Sequence, residues 1–200
     1  MRGSLVIVAF FIVGLLIGRF VDMPAFITEQ DPTLYALYVL MFLVGISIGS
    51  DKKALQALKQ QNLRIALVPL GTILGTLAGS AIISLVIRDR SLTDCLAVGS
   101  GFGYYSLSSI FITQYKGAEL GTIALASNII RELVTLLAAP FLVRYFGKLA
   151  PISVGGATTM DTTLPVITQN SGKDYVVVSI FHGITVDFSV PFLVTFFCTI

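Results

Sequence analysis

Gly99-Ser100-Gly101-Phe102-Gly103-Tyr104-Tyr105-Ser106, in the middle of the apolar segment 95–114, decides how this chain folds. The segment is apolar enough to enter a bilayer. Three glycines at alternate positions nevertheless make a poor continuous helix, each costing about 1 kcal/mol relative to alanine. A second segment, 151–169, breaks in the same manner at Gly155-Gly156-Ala157-Thr158-Thr159-Met160-Asp161-Thr162-Thr163 and then Pro165. Irregular backbone at membrane depth is tolerated only where it lines a cavity or is buried in protein. Two such breaks point to a site rather than to a plain bundle.

The rest of the chain supports a membrane setting. Of its 200 residues 55% are hydrophobic and only 12% charged, with a mean hydropathy of +0.89. A water-soluble domain of this length needs a charged surface that this composition does not supply. A net charge of +2 gives no argument for nucleic acid. Cys95 and Cys198 are far apart in or beside apolar runs and read as unpaired packing residues. One histidine and two distant cysteines leave no metal-ligand spacing, and no cofactor is expected. The expected fold class is therefore an all-α integral membrane bundle.

Working outward, residues 4–18 and 34–50 form short apolar spans, the first read as a retained helix rather than a cleaved signal. The loop 21–32 carries Asp22, Glu29 and Asp31. The loop 51–64 carries Lys52, Lys53, Lys59 and Arg64, which places it and the N-terminus in the cytoplasm by the positive-inside tendency. The span 65–87 holds Gly71, Gly75 and Gly79, a small-residue face open to bundle packing or to a subunit interface. Residues 88–94 are then external. Residues 1–94 read as a three-helix scaffold and 95–200 as a transport core.

The core looks like one unit written twice, 95–148 and 151–200. Ile112-Thr113-Gln114 with Gly117 recurs as Ile167-Thr168-Gln169 with Gly172. The same offset maps Gly101 onto Gly156, Ser106 onto Asp161, Glu119 onto Asp174 and Glu132 onto Asp187. Pro140-Phe141-Leu142-Val143 recurs as Pro191-Phe192-Leu193-Val194 after a slip of about one helical turn. If each broken piece dips in and returns, helix 119–146 runs inward, its basic end at Arg144 and Lys148 is cytoplasmic, and the C-terminus is external. The two units then point in opposite directions, the recurring plan of secondary transporters. Full crossing by each broken piece is the alternative.

Four ionisable residues, Arg131, Glu132, Asp161 and Asp187, fall at membrane depth, with His182 beside them. Each charge costs about 2.5–3.5 kcal/mol at the centre of a spanning helix, so several in one small protein need a reason. Asn128 and Glu132 share a helix face and are placed to hydrogen-bond. Arg131 points elsewhere on the wheel and is expected to answer Asp161 or Asp187 as a structural charge partner. Asp161, among Ser/Thr-rich neighbours that include Thr159 and Thr162, suits a cation or an ammonium group. It equally suits the N-cap of a half-helix. His182 reads as a packing residue or a proton relay.

The glycine-rich stretch 99–108, Asn128 with Arg131-Glu132-Leu133, Gly156 through Pro165, and His182-Gly183 together resemble the motifs of the bacterial lysine exporter family. The resemblance extends over the whole chain and is most specific in its second half. It implies a plasma-membrane carrier that expels L-lysine and toxic analogues such as thialysine, coupled to inward proton movement. It also implies that Glu132 and Asp161 are the important acidic residues. Ser106, Thr159, Thr162, Asn128 and Asp187 complete the expected substrate and proton site. Typical members have an additional N-terminal helical region. The expectation is that a small membrane subunit, or a second copy of the chain, supplies the missing helices. A cation/proton antiporter, a channel and a non-transporting scaffold subunit are the competing classes. An enzyme is not expected.

Overall fold

The structure, a computed structural model, describes residues 63–200 together with positions 13, 14, 16–20, 35, 39, 42 and 46, all of the latter helical. The chain divides into two compact units, 1–50 and 51–200. The expected spans 4–18 and 34–50, the acidic loop and most of the basic loop 51–64 lie largely outside the described residues. The described residues are helical, with no strand among them.

The second unit opens with a 3-10 turn, Leu63–Ala66, that runs into helix α1, Leu67–Val86. Helix α2, Leu92–Gly99, is started by a reciprocal cap. The Asp94 N–H donates to Ser91 Oγ at 3.0 Å, and the Ser91 N–H donates to Asp94 Oδ2 at 3.4 Å. Such a capping box satisfies two of the N–H groups that a helix start leaves without partners. Helix α2 stops where the glycines begin, and α3 resumes at Tyr105–Lys116. Gly117 joins α3 to the next helix with φ +95°, a left-handed conformation that glycine adopts without steric cost.

Helix α4, Ala118–Phe146, has 29 residues, about 43 Å at 1.5 Å per residue. The short α5, Ala150–Gly155, passes into a 3-10 turn, Gly156–Met160. Helix α6, Leu164–Ser171, follows, then α7, Val176–Thr199. The observed helices fall close to the segments expected at 65–87, 119–146 and 175–200. Among the described residues three stretches are long and apolar enough to cross a membrane: Leu67–Val86, Ala118–Phe146 and Lys173–Thr199.

The packing exposes many apolar side chains and buries polar ones among the apolar core. Leu85, Leu137, Phe141, Phe188 and Phe192 are exposed on the long helices. Asn128, Thr135, Thr159, Ser179, His182 and Asp187 are buried. A soluble domain sorts these residues the other way round. Exposed apolar side chains face lipid without penalty, while the interior must satisfy every polar group internally. Hydroxyls do much of that work by donating to the carbonyl one turn back, as Thr122 does to Ala118, Thr135 to Arg131 and Thr185 to Phe181. Pro140 in α4 and Pro191 in α7 lack an N–H, so the carbonyls of Leu136 and Asp187 lose their regular helical donors.

Candidate functional site

The two glycine-rich breaks meet. The Ala157 N–H donates to the Phe102 carbonyl at 2.9 Å. A Cβ on Gly156, where φ is +64°, would run into that same carbonyl. Phe102 itself has φ +45°, a strained conformation for an aromatic residue. Asn128 on α4 supports this junction from below. Its Oδ1 accepts from the Gly103 N–H at 2.7 Å, and its Nδ2 donates to Ala124 O at 2.8 Å. The expected bond between Asn128 and Glu132 therefore does not form. The amide is committed to backbone groups whose burial makes them costlier to leave unpaired.

Two aspartates, Asp161 and Asp187, lie within electrostatic reach of one another. Asp187 on α7 is only 5% exposed, and its carboxylate has no hydrogen-bond or ion-pair partner among the described residues. The Tyr104 phenol lies within reach of both aspartates. Asp161 is exposed, and its Oδ1 accepts from the Thr162 N–H at 2.5 Å and from Thr162 Oγ1 at 3.4 Å. Helix α6 starts three residues later behind Thr163, so Asp161 is not its N-cap. Ser106 and Thr162 are exposed. Glu132 is half-buried, with no hydrogen-bond or ion-pair partner among the described residues.

Arg131 departs from expectation. It pairs with neither Asp161 nor Asp187. Its Nε donates to Val154 O at 2.7 Å, Nη2 to Ser153 O at 3.0 Å and Nη1 to Thr76 Oγ1 at 3.4 Å. Its guanidinium also stands 5.9 Å from the centroid of the Phe102 ring. Its place on the α4 surface turns it toward α1 and the end of α5, where free carbonyls of a short helix offer negative dipole ends.

His182 is fully buried, with Nε2 2.9 Å from Thr72 Oγ1 and Nδ1 3.2 Å from Thr159 Oγ1. Thr159 Oγ1 also stands 2.8 Å from Gly156 O and 2.9 Å from Ser179 O, which share its single hydroxyl proton. It ties α7 to the second break and has little capacity left for a ligand. The sequence reading missed Tyr104, Thr72 and Thr76 as site residues. The two threonines stand four apart on the helix that carries the glycines, a spacing that puts them on one face.

Two spaces open along α1. A groove of about 420 Å3 is lined by Gly71, Thr72, Gly75, Thr76, Arg131 and the Ser153–Val154 stretch. A cavity of about 700 Å3 between α1, α2 and α4 has Thr76, Gly79, Ser80 and Ser127 among its lining residues and Arg90, Asp94 and Glu119 at its rim. Arg90 pairs with Glu119, and Lys116 Nζ lies 3.4 Å from Asp94 Oδ1. Burial alone would raise the Asp94 carboxyl. The bonds from Ser91 and the Lys116 ammonium outweigh it and hold the group below the usual carboxylate range. The glycine face of α1 thus borders both spaces, and a Cβ on Gly71, Gly75 or Gly79 would meet nothing within 4 Å among the described residues.

The profile of the family described as lysine exporter LysO matches residues 8–198. The chain belongs to that family. Two curated relatives agree with it. The lysine exporter LysO of Escherichia coli K12 is 36% identical over 163 residues, covering 82% of this chain and 54% of the relative. A putative lysine exporter of Haemophilus influenzae is 33% identical over 167 residues, covering 82% of this chain and 83% of the relative. The chain thus spans about half the length of the Escherichia coli relative and most of the other. No solved structure matches. The lysine exporter family is one of transporters rather than enzymes.

Proposed function

We propose that this chain exports L-lysine, with toxic analogues such as thialysine, in exchange for protons moving inward. The observation that carries the reading is Asp187: a carboxylate 5% exposed, without a hydrogen-bond or ion-pair partner, beside a second carboxylate. A carboxylate withdrawn from bulk water, with a second carboxylate within electrostatic reach, favours a bound cation or a proton. An ammonium group and a proton then compete for one place, and exchange follows from that competition. Asp161, at the exposed end of the pair, is the first contact for the arriving ammonium. Ser106, Thr162 and the carbonyl freed by Pro191 supply further oxygen ligands, and Glu132 carries a second proton or ammonium site.

In this reading each broken piece, α2–α3 and α5–α6, is re-entrant, and the two halves of the core are inverted copies. The Phe102–Ala157 bond supports it, because the repeat offset that maps Gly101 onto Gly156 maps Phe102 onto Ala157. A contact between equivalent residues is what a two-fold axis through the junction produces. The same offset maps Glu132 onto Asp187, one carboxylate per copy.

The test is thialysine resistance and lysine efflux in cells lacking their own exporter. The wild-type chain, Asp187→Asn, Asp161→Asn and Glu132→Gln are compared at matched expression. Wild-type efflux that collapses at least about tenfold in the aspartate variants is expected, equivalent to about 1.4 kcal/mol of lost interaction. Undiminished efflux in both aspartate variants would remove the physical basis of the reading.

A further inference from the structure

We infer that the Arg131 guanidinium and the Thr76 hydroxyl form a subsite for a carboxylate, the α-carboxylate of the transported amino acid. The inference rests on the transport reading for the identity of the solute. The chemistry rests on the groove itself.

Arg131 has five N–H donors in a planar fork. Three meet acceptors, and the third of these, to Thr76 Oγ1, is long at 3.4 Å. One N–H on each terminal nitrogen therefore has no acceptor among the described residues. The carbonyls of Ser153 and Val154 satisfy hydrogen bonds but bring no net negative charge, and no carboxylate among the described residues is paired with the guanidinium. A guanidinium held inside a membrane protein with an unused N–H on each terminal nitrogen suits a carboxylate. The groove beside it is open because α1 presents Gly71 and Gly75 there. Thr76 borders both this groove and the larger cavity with the charged rim. Thr76, which accepts from Arg131 Nη1, thus links the larger cavity to the guanidinium. In this proposal the acidic pair takes the ammonium, and Arg131 with Thr76 takes the carboxylate.

The experiment measures equilibrium binding of labelled lysine to the full chain in lipid nanodiscs, with competition by 1,5-diaminopentane, which lacks the carboxylate. The wild type should favour lysine over the diamine by roughly 10- to 100-fold, the range of a charge-assisted bidentate contact. Arg131→Gln should bring that ratio close to one by weakening lysine alone. Gly75→Val, whose added atoms enter open space, should narrow the groove and lower the ratio with the charge intact. It decides the matter if Arg131→Gln does not fold. An unchanged ratio, with both ligands weakened in parallel, would overturn the subsite and leave Arg131 as a latch on α5. Wild-type protein that binds no lysine would instead sink the transport reading. Labelled 6-aminohexanoate then decides the subsite: Arg131-dependent binding upholds it and no binding overturns it.

Discussion

The Ala157 amide and the Phe102 carbonyl, 2.9 Å apart, join the two interrupted segments at their most constricted point. Gly156 sits where any Cβ would collide with that carbonyl, and its φ of +64° is one that other residues adopt at a cost. Gly156→Ala is therefore expected to lose at least about 2 kcal/mol of stability. Thermal unfolding in detergent followed by circular dichroism measures it. An unchanged midpoint would mean that the junction relaxes freely.

Asn128 bridges the first break to α4 with both ends of its amide. Asn128→Ala leaves the Gly103 N–H buried without a partner, and the expected cost is about 1–3 kcal/mol. Hydrogen exchange at the Gly103 amide should accelerate in the variant. Protection equal to the wild type would contradict the role given to this side chain.

Asp187→Asn separates stability from function. The wild-type carboxylate is buried without a compensating partner, so a neutral isostere removes a desolvation cost rather than a bond. The unfolding midpoint is expected to hold or rise while lysine efflux falls. A midpoint several degrees lower would show that the carboxylate is a structural anchor.

The Ser91–Asp94 cap gives the unit an acid-sensitive point. Asp94 is held below the usual carboxylate range, so its contribution is complete above the ordinary pKa. That contribution fades as pH falls through the depressed folded value. Titration of the unfolding midpoint from neutral pH downward should show an acid limb that Asp94→Asn flattens. Ser91→Ala should lower the midpoint at neutral pH by the equivalent of about 1 kcal/mol. An acid limb of equal slope in the wild type and Asp94→Asn would assign the sensitivity elsewhere.

Composition and period alone determined that this is a helical membrane protein and located its long described helices within a few residues. The reason is local: a long, largely apolar stretch such as Ala118–Phe146 has one stable form in lipid, and the alternate glycines at 99, 101 and 103 end the helix that starts at Leu92. The candidate carboxylates were legible too, because a charge in an apolar run stands out. Their partners were not. Arg131 was expected to meet an aspartate and instead holds the carbonyls of Ser153 and Val154. Asn128 was expected to face Glu132 and instead caps Gly103. Which groups meet depends on how α1, α5 and the two breaks are brought together across long separations in the chain. A side chain's own helix settles its direction around the axis, but only the packed neighbour settles what stands there to receive it.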